Sequence, residues 1–426
     1  MHPFKLVTTV FAEENKGASL NVLVINAGSS SLKYQLINVE TQRVLAKGLC
    51  ERVGTDEASH KHGIDDNEKV ISEPMADHDA AMNIVLNTLV EGDNAPLGSL
   101  SEINAVGHRV VQGGKYFDSS VVIDDDVIQK IDELAELAPL HNKAALMGIR
   151  ACRHHIPGVP MVAVFDTSFY QTLAERTYMY PIPYELSQKY SIRKYGAHGT
   201  SHRYIAERAA AVLDEPLSDL KLITCHLGNG CSVTAIDHGI AVDTSMGLTP
   251  LDGLMMGTRS GAIDPAIVTF LMSHEGLSPA DMDDVLNKKS GLLGVSGISN
   301  DLRSVRSASE AGDPRAILAY EMYAQSVKKH IGQYIAVMGG VDAIVLAGGV
   351  GENCDKMRRL IFAGLQPLGI VLDEARNRER GYEREISTDS SPVRIIIIPA
   401  DEEYMIARDT YNLVHEKRAV SFSIPR

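Results

Sequence analysis

The sequence predicts an α/β protein in which one strand–turn–strand design occurs twice. The copies lie at residues 22–49 and 222–244, and each contains a buried strand, a turn of small residues and two further strands. Apolar runs such as VLVI at 22–25 have the length and β-branched content of buried strands. Since 426 residues suffice for two domains, we expect a duplicated domain. Two unrelated meanders would give the same local pattern.

In the first half, three strands at 22–25, 33–39 and 43–49 precede a polar segment at 54–79 that we interpret as loop. Asp77 is a typical N-cap for the helix that follows. A strand at 105–111 leads to a helix beginning at 124–126, which Pro139 ends. A short helix through 151 and a strand at 160–165 complete this half, and that strand runs directly into Asp166.

In the second half, a helix ends at about Leu213 and is followed by strands at 222–227, 231–236 and 240–244. A long helix begins after Asp313 with proline in its first turn and ends at a glycine pair. The strand at 342–346 then runs into the sequence AGGVGEN, which we interpret as a glycine loop before another helix. A last strand at 393–398 precedes a closing helix through about His415.

The composition is that of a soluble globular protein, with 44% hydrophobic and 23% charged residues. A net charge of −14 without a basic block disfavours nucleic-acid binding. The apolar runs are too short to cross a membrane, and residues 1–20 resemble a leader segment more than a signal peptide. The five cysteines are scattered and include no CxxC pair, which favours free thiols and a cytoplasmic location.

Three segments rich in small residues favour phosphate binding when they are considered together. They are the turn at 28–31 followed by Lys33, the turn at 228–230, and the GGVGEN sequence at 348–353. Backbone N–H groups in such turns can approach an anion closely. Alone, the turn at 28–31 is better explained as an ordinary hairpin loop, and GGVGEN is equally well explained as a tight strand-to-helix turn.

Several charged residues lie beside small residues or at strand ends, where catalytic groups are common. Arg109 and Arg259 have the planar donor geometry that suits carboxylate and phosphate. Asp166 is a candidate catalytic or metal-binding carboxylate, with helix capping as the alternative. His198 is a candidate donor to a phosphoryl group, with a hydrogen bond at a helix start as the alternative. Glu402, beside Glu403, is either a first-turn helix charge or a magnesium ligand.

Nine motifs together resemble the acetate/propionate kinase family and run in family order from residue 21 to about 415. They are NAGSSSLKY (26–34), GHRVVQGG (107–114), APLHN (138–142), FDTSF (165–169), YGAHGTSH (195–202), HLGNG (226–230), DTSMGLTPLDGLMMGTRSG (243–261), SGLLGVSG (290–297) and GGVGEN (348–353).

This resemblance implies two duplicated ribonuclease H-like domains around a nucleotide cleft, the fold of the sugar kinase, heat-shock ATPase and actin superfamily. After a leader at 1–20, the N-terminal domain would comprise 21–167 and 401–426 and hold the acyl and phosphate site. Residues 168–400 would form the C-terminal domain, with the nucleotide site and the contact of a homodimer.

The resemblance also implies roles for individual residues. The catalytic residues would be Asp166, His198 and Arg259, and the metal ligands would be Asn26 and Glu402. The substrate would contact Arg109, Val111, Leu140, His141, Ala197 and Pro250. The nucleotide would contact Ser29, Ser31, Lys33, His226, Leu227, Gly228, Asn229, Gly230, Asp301, Leu302, Arg303, Gly349, Val350, Gly351, Glu352 and Asn353.

The implied reaction is reversible, in-line phosphoryl transfer from ATP to acetate, giving acetyl phosphate and ADP, with Mg²⁺ or Mn²⁺ as the cofactor. Propionate kinase, with a larger acyl pocket, is the alternative within the family. An actin-like ATPase that uses the cleft for conformational signalling is the alternative from another class. The arginines and the apolar acyl pocket favour a carboxylate substrate over that ATPase.

Overall fold

Two β-sheets with related topology organise the protein. In this computed structural model, residues 20–64, 67–92, 94–139 and 141–416 are described. Within them, the strand order of the first sheet is β5-β4-β3-β2-β1-β6-β8-β7, and that of the second is β11-β10-β9-β12-β14-β13. The strands are β1 (Asn21–Gly28), β2 (Ser31–Asn38), β3 (Arg43–Glu51), β4 (Ser59–Ile64), β5 (Asn67–Ser72), β6 (Ile103–Val110), β7 (Val121–Val122), β8 (Met161–Phe165), β9 (Lys221–Leu227), β10 (Cys231–Asp237), β11 (Ile240–Thr244), β12 (Ala343–Ala347), β13 (Arg384–Glu385) and β14 (Arg394–Ile397).

Helices connect these strands and cover the sheets. The α-helices are α1 (His78–Val90), α2 (Asp125–Glu133), α3 (Asn142–His155), α4 (Glu175–Tyr178), α5 (Tyr184–Tyr190), α6 (Gly199–Leu213), α7 (Pro265–Glu275), α8 (Pro279–Lys288), α9 (Gly291–Ser296), α10 (Leu302–Glu310), α11 (Pro314–Met338), α12 (Gly348–Asn353), α13 (Asp355–Phe362), α14 (Glu374–Arg378) and α15 (Glu402–Tyr411). Short 3₁₀ turns occupy Leu100–Glu102, Leu134–Glu136, Ser168–Tyr170, Leu217–Asp219 and Gln366–Leu368, and a π-helical turn occupies Asn412–Glu416.

The duplication expected from the sequence is confirmed by the pairing of the strands. Five strands have the same order in each sheet, β3-β2-β1-β6-β8 in the first and β11-β10-β9-β12-β14 in the second. In both, the first two pairings are antiparallel and the last two are parallel. Two unrelated meanders would not share the parallel half, so one architecture is present twice.

The C-terminal helix α15 packs on the first sheet, although it follows the second sheet in the chain. Ile406 and Ala407 lie in one apolar cluster with Val22, Val24 and other residues of the first sheet. Burial of a side chain such as Ile406 contributes about 1.5–3 kcal/mol. This packing supports the predicted return of the chain to the N-terminal domain at 401, and the domain boundaries themselves stay a prediction.

Helices α6 and α15 also contact each other, and a buried ion pair joins them. Arg203 of α6 donates from Nη2 to Asp409 Oδ1 at 2.5 Å, and Ser120 donates to the other oxygen of Asp409 at 2.8 Å. Met405 lies in the apolar cluster beneath α6 and the second sheet. The two helices therefore link the halves of the duplication.

Two predictions of secondary structure were wrong. The segment at 54–79 contains the hairpin β4–β5, because His60 and His62 turn inward and both accept or donate hydrogen bonds at the Tyr34 hydroxyl. The polar composition of this segment concealed the alternation of inward-facing and outward-facing side chains along β4. The GGVGEN sequence is the short helix α12 itself, and its first residue, Gly348, turns the chain from β12 into the helix with φ +75°.

Two further predictions concern thiols and membranes. Cys50, Cys152, Cys225, Cys231 and Cys354 are all free and buried, as the scattered spacing predicted. Within the described ranges, no helix has both the length and the apolar character required to cross a membrane. The leader expected at 1–20 lies outside the described residues except for Leu20.

Candidate active site

The candidate site begins where the parallel strands of the first sheet end. Arg109 lies near the end of β6, and Asp166 directly follows the adjacent β8. Arg109 donates from Nη2 to Asp166 Oδ2 at 2.7 Å and from Nε to Oδ1 at 3.3 Å. Asp166 is fully buried, so the pair is a two-point ion pair in a region of low dielectric. The helix-capping role considered for Asp166 is wrong, because its side chain binds Arg109 instead.

Burial and neighbouring charges act in opposite directions on Arg109. Burial alone would lower the pKa of its guanidinium, but Asp166 and then Glu402 attract the charge and raise the pKa above its ordinary value. Arg109 is therefore a permanent cation. Asp166 occupies its Nε and Nη2 edge, and within the described part of the chain no hydrogen bond is made by Nη1, so that side can bind another anion.

The start of α6 lies directly against Asp166. Thr200 donates its hydroxyl proton to Asp166 Oδ1 at 3.2 Å. A Cβ atom at Gly199 would lie 2.0 Å from the Asp166 carbonyl oxygen, so no other residue fits at this helix start. His198 precedes this glycine with a left-handed backbone, φ +60° and ψ +19°, and its side chain makes no capping bond. The capping role considered for His198 is therefore also wrong.

A chain of hydrogen bonds holds the His198 imidazole. Its Nδ1 lies 2.8 Å from Ser232 Oγ, which lies 2.7 Å from Nε2 of the buried His202. His202 Nδ1 is in turn 2.7 Å from the Thr224 hydroxyl. Burial, followed by repulsion from His226 and Arg109, keeps the pKa of His198 well below its ordinary value. His198 is therefore a neutral imidazole at pH 7, which can still donate one hydrogen bond.

Arg259 approaches His198 across the turn at Gly230. A Cβ atom built at Gly230 would lie 3.7 Å from both Arg259 Nη1 and His198 Nε2. Arg259 donates from Nη1 to the Pro250 carbonyl oxygen at 3.3 Å. In the described part of the chain no carboxylate lies within ion-pair distance of Arg259, and burial lowers its pKa. Among the described residues, the guanidinium of Arg259 therefore has no counter-charge.

Glu402, at the first position of α15, faces this group from the other side. Its oxygens lie 3.9 Å from Arg109 Nε and 4.0 Å from His226 Nδ1, beyond hydrogen-bond distance. His226 instead contacts the Ser201 hydroxyl at 2.8 Å, and its ring centroid is 4.6 Å from that of His198. Glu402 is therefore a carboxylate near cations that has no close partner among the described residues.

The first hairpin lies at the same edge of the molecule. Ser29 is exposed in the two-residue turn between β1 and β2, and Asn26 and Lys33 are cross-strand partners on either side of it. Lys33 forms an ion pair with Glu403, the neighbour of Glu402. Ser31 packs against Gly28 in the turn. The structure therefore brings this predicted phosphate turn to the start of α15.

The predicted nucleotide-binding segments converge at the ends of β9 and β12. The Asn229 carbonyl accepts from the N–H of Gly257, and its side-chain oxygen accepts from Asn300 at 3.4 Å. That contact places the 228–230 turn beside Asp301 and Arg303, which form an exposed ion pair at the start of α10. Leu302 between them is 8% exposed.

Helix α12 completes this group of segments. Gly348 lies so close to β9 that a Cβ atom there would be 2.7 Å from the Leu227 carbonyl oxygen. Glu352 accepts from the backbone N–H of Ala400 at 3.3 Å, which ties α12 to the segment before α15. The other predicted contacts in this helix are Gly349, Val350, Gly351 and Asn353, and Asn353 bonds back to the Gly349 carbonyl.

The predicted acyl-binding residues fall into two groups. His141 lies where both Arg109 and Arg259 act on it, since burial followed by these two cations lowers its pKa. Val111 directly follows β6 beside the same arginine. Ala197 instead packs in the apolar core beneath the second sheet, at 2% exposure. Leu140 lies outside the described residues.

The sequence did not reveal the residues that orient the catalytic candidates. Thr200, Ser201, His202 and Ser232 hold Asp166, His226 and His198 through hydrogen bonds. Three of the four lie in the motif YGAHGTSH, whose density of polar residues at a helix start was the available signal. Ser232 has no local signal, because its role depends on the pairing of β9 with β10.

Comparisons with known proteins show which family the chain is similar to. The model of the Acetokinase family matches residues 21–408. An acetate kinase from Caldanaerobacter subterraneus subsp. tengcongensis is 54% identical over 397 residues, covering 93% of this chain and 99% of the relative. An acetate kinase from Thermotoga maritima is 51% identical over 400 residues, with 93% and 99% covered.

Solved structures extend the similarity to the fold. Porphyromonas gingivalis acetate kinase superimposes with a TM-score of 0.90 at 45% identity, covering 93% of this chain and 100% of that one. A propionate kinase from Francisella tularensis subsp. tularensis gives a TM-score of 0.87 at 43% identity, with 92% and 99% covered. The family model and the close relatives both span nearly the whole chain, and this chain therefore belongs to the acetokinase family.

Proposed function

We propose that this protein catalyses reversible phosphoryl transfer from ATP to acetate, giving acetyl phosphate and ADP. The observation that carries the proposal is that two arginines with different environments, Arg109 and Arg259, lie in one cleft. Arg109 is neutralised on one edge by Asp166, while Arg259 has no carboxylate partner among the described residues. Two anions that repel each other, a carboxylate and a triphosphate, need such cations between them.

The chemistry needs little more than positioning and charge stabilisation. A carboxylate oxygen of acetate forms a bond to the γ-phosphorus while the bond from that phosphorus to the β–γ bridging oxygen breaks, and ADP leaves with the electron pair. Charge spreads over three equatorial oxygens. The transferred phosphoryl group would lie beside Gly230, which both Arg259 Nη1 and His198 Nε2 approach. When the Ser232 hydroxyl donates its hydrogen bond to Nδ1, the His198 proton is on Nε2, and Nε2 can donate to the phosphoryl group.

Arg109 binds the carboxylate of acetate through the side that Asp166 does not occupy. Carboxylic acids have a pKa of about 4, so acetate is already ionised at neutral pH and needs no general base. Asp166 therefore acts by orienting Arg109 and Thr200, not by removing a proton. Asp166 is therefore a positioning residue of the catalytic site.

The residues present fit a magnesium ion bound with the nucleotide. Mg²⁺ prefers oxygen ligands and commonly takes one or two protein groups together with substrate phosphates. Glu402 supplies a carboxylate without a close partner, and Asn26 supplies an amide oxygen at the end of β1. We propose these two as the ligands, with Mn²⁺ as a substitute. The ion would neutralise charge on the β- and γ-phosphates.

Acetate-dependent ADP formation tests the function. Purified protein with ATP and Mg²⁺ should release ADP only when acetate is added, with one acetyl phosphate per ADP, trapped as the hydroxamate. ADP release at the same rate without acetate would instead indicate the actin-like ATPase.

The substrate preference follows from the residue at position 111. Valine beside Arg109 limits the room for a longer acyl chain, and one methylene is worth about 1–3 kcal/mol of discrimination. We expect kcat/KM for acetate to exceed that for propionate, with measurable propionate activity. Initial rates with both acids measure this preference. The substitution Val111→Ala should lower the ratio of kcat/KM for acetate to kcat/KM for propionate. A wild-type ratio that favours propionate would contradict the assignment.

A homodimer contact through the C-terminal domain is supported by α7. This helix is rich in apolar residues, yet none is buried, and Phe270 is 57% exposed. An exposed apolar face of this kind marks an interaction site, and a second copy of the chain is the partner we propose.

Replacing Ile267 and Phe270 with aspartate should convert the dimer to a monomer, because the charges could not be buried. Light scattering after size exclusion measures the mass. The control Val70→Asp, on an exposed position of β5, should stay dimeric. An unchanged mass for the double variant would exclude α7 as the contact.

A further inference from the structure

A second group of chemically able side chains lies away from the cleft, between α1 and α3. Asp79 is in the first turn of α1, and His154 and His155 are the last two residues of α3. Asp79 Oδ1 lies 2.9 Å from His154 Nδ1, and Oδ2 lies 3.2 Å from His155 Nε2. One ligand atom from each residue lies within 4.8 Å of the other two. Of the residues that the structure describes, only these form so compact a group of three or more His, Cys, Asp or Glu.

We infer that Asp79, His154 and His155 form a binding site for one divalent transition-metal ion such as Zn²⁺. Two imidazole nitrogens and a carboxylate oxygen are a ligand set typical of zinc. Mg²⁺, which the reaction would use, prefers oxygen ligands and competes poorly here. His154 is 70% exposed, so water can reach the remaining coordination position.

The state of His155 is independent support for a ligand at this point. Its Nε2 atom is buried and has no hydrogen bond, even though Asp79 is close. A buried nitrogen without a hydrogen bond destabilises the folded protein unless a ligand occupies that position. Coordination to an ion would satisfy this nitrogen, whereas its present contact with Asp79 Oδ2 at 3.2 Å is not a hydrogen bond.

The neighbouring charges do not oppose a cation. Arg153, the residue before the two histidines, forms an ion pair with Asp125 of α2 at 2.6 Å. The C-terminal end of α3 carries the negative end of its helix dipole, which favours a cation. An ion at this position would tie α1 to α3, which pack on each other over the first sheet, and would stabilise the folded state by mass action.

Metal binding to the full-length protein tests the inference without reference to catalysis. Metal-depleted protein would be titrated with Zn²⁺ by calorimetry and with Co²⁺ by visible absorption, in the absence of nucleotide. We expect the wild type to bind one equivalent that His154→Ala/His155→Ala does not bind. Asp79→Asn should weaken that equivalent by at least the ~10–100-fold that loss of an outer-shell partner costs.

The matched control is His238→Ala/His274→Ala, which removes two exposed histidines elsewhere. It should retain the equivalent, and Zn²⁺ should raise the Tm of the wild type and of this control but not of His154→Ala/His155→Ala. Circular dichroism would establish that all variants are folded. Equal stoichiometry and affinity for the wild type and His154→Ala/His155→Ala would overturn the inference and leave these residues as an ion pair.

Discussion

Replacing Arg259 with alanine is expected to lower kcat by about 10³-fold or more, the range measured when an arginine that stabilises phosphoryl transfer is lost. The KM for acetate should change little, because Arg109 binds the carboxylate in our account. The loss of an interaction made only in the transition state lowers kcat and kcat/KM together. Steady-state rates with varied acetate at saturating ATP measure both constants.

The same substitution should not destabilise the fold. Arg259 has no carboxylate partner among the described residues, and burial lowers its pKa. Its removal therefore leaves no buried charge without a partner, and the Tm should stay at or above that of the wild type. Arg359→Ala, which removes an exposed arginine paired with Glu374, is the control for both measurements and should retain activity. A near-normal kcat for Arg259→Ala would show that Arg259 does not stabilise the transition state.

Replacing Arg109 with methionine is expected to affect binding and stability together. Asp166 would then be a fully buried carboxylate without its partner, and breaking such a pair costs about 3–5 kcal/mol. The lost charge-assisted bonds to acetate, each about 1.5–3 kcal/mol, should raise the KM for acetate and lower kcat/KM by about 10²-fold or more. Denaturant unfolding and acetate titrations check the two effects.

A double variant separates these effects. Adding Asp166→Asn to Arg109→Met removes the orphaned charge and should recover most of the free energy of unfolding. It should not recover acetate binding, because the guanidinium is still missing. If the double variant regained both stability and a low KM for acetate, Arg109 would be a structural residue and not the carboxylate ligand.

The repeated topology was predictable from the sequence because it depends on local patterns. The apolar runs at 22–25 and 222–227, and the turns after them, predicted the strands that pair in each sheet. The helix starts were predictable for the same reason. Asp77 and Asp313 both accept backbone hydrogen bonds at the helix starts that the sequence indicated.

What the sequence could not supply were contacts that depend on tertiary pairing. The hairpin β4–β5 owes its inward-facing histidines to Tyr34 of another strand. The histidine chain through Ser232 exists only because β10 lies beside β9. Whether an arginine has a counter-ion is likewise not visible in sequence, yet that difference separates the expected roles of Arg109 and Arg259.

The central claim is that a carboxylate oxygen of acetate forms the bond to the transferred phosphorus. Acetate labelled with ¹⁸O in both carboxylate oxygens, incubated with the protein, ATP and Mg²⁺, tests it by ³¹P NMR of the product. We predict acetyl phosphate whose phosphorus shows the isotope shift of one bonded ¹⁸O. Unlabelled acetyl phosphate, or inorganic phosphate formed at the same rate without acetate, would contradict the account.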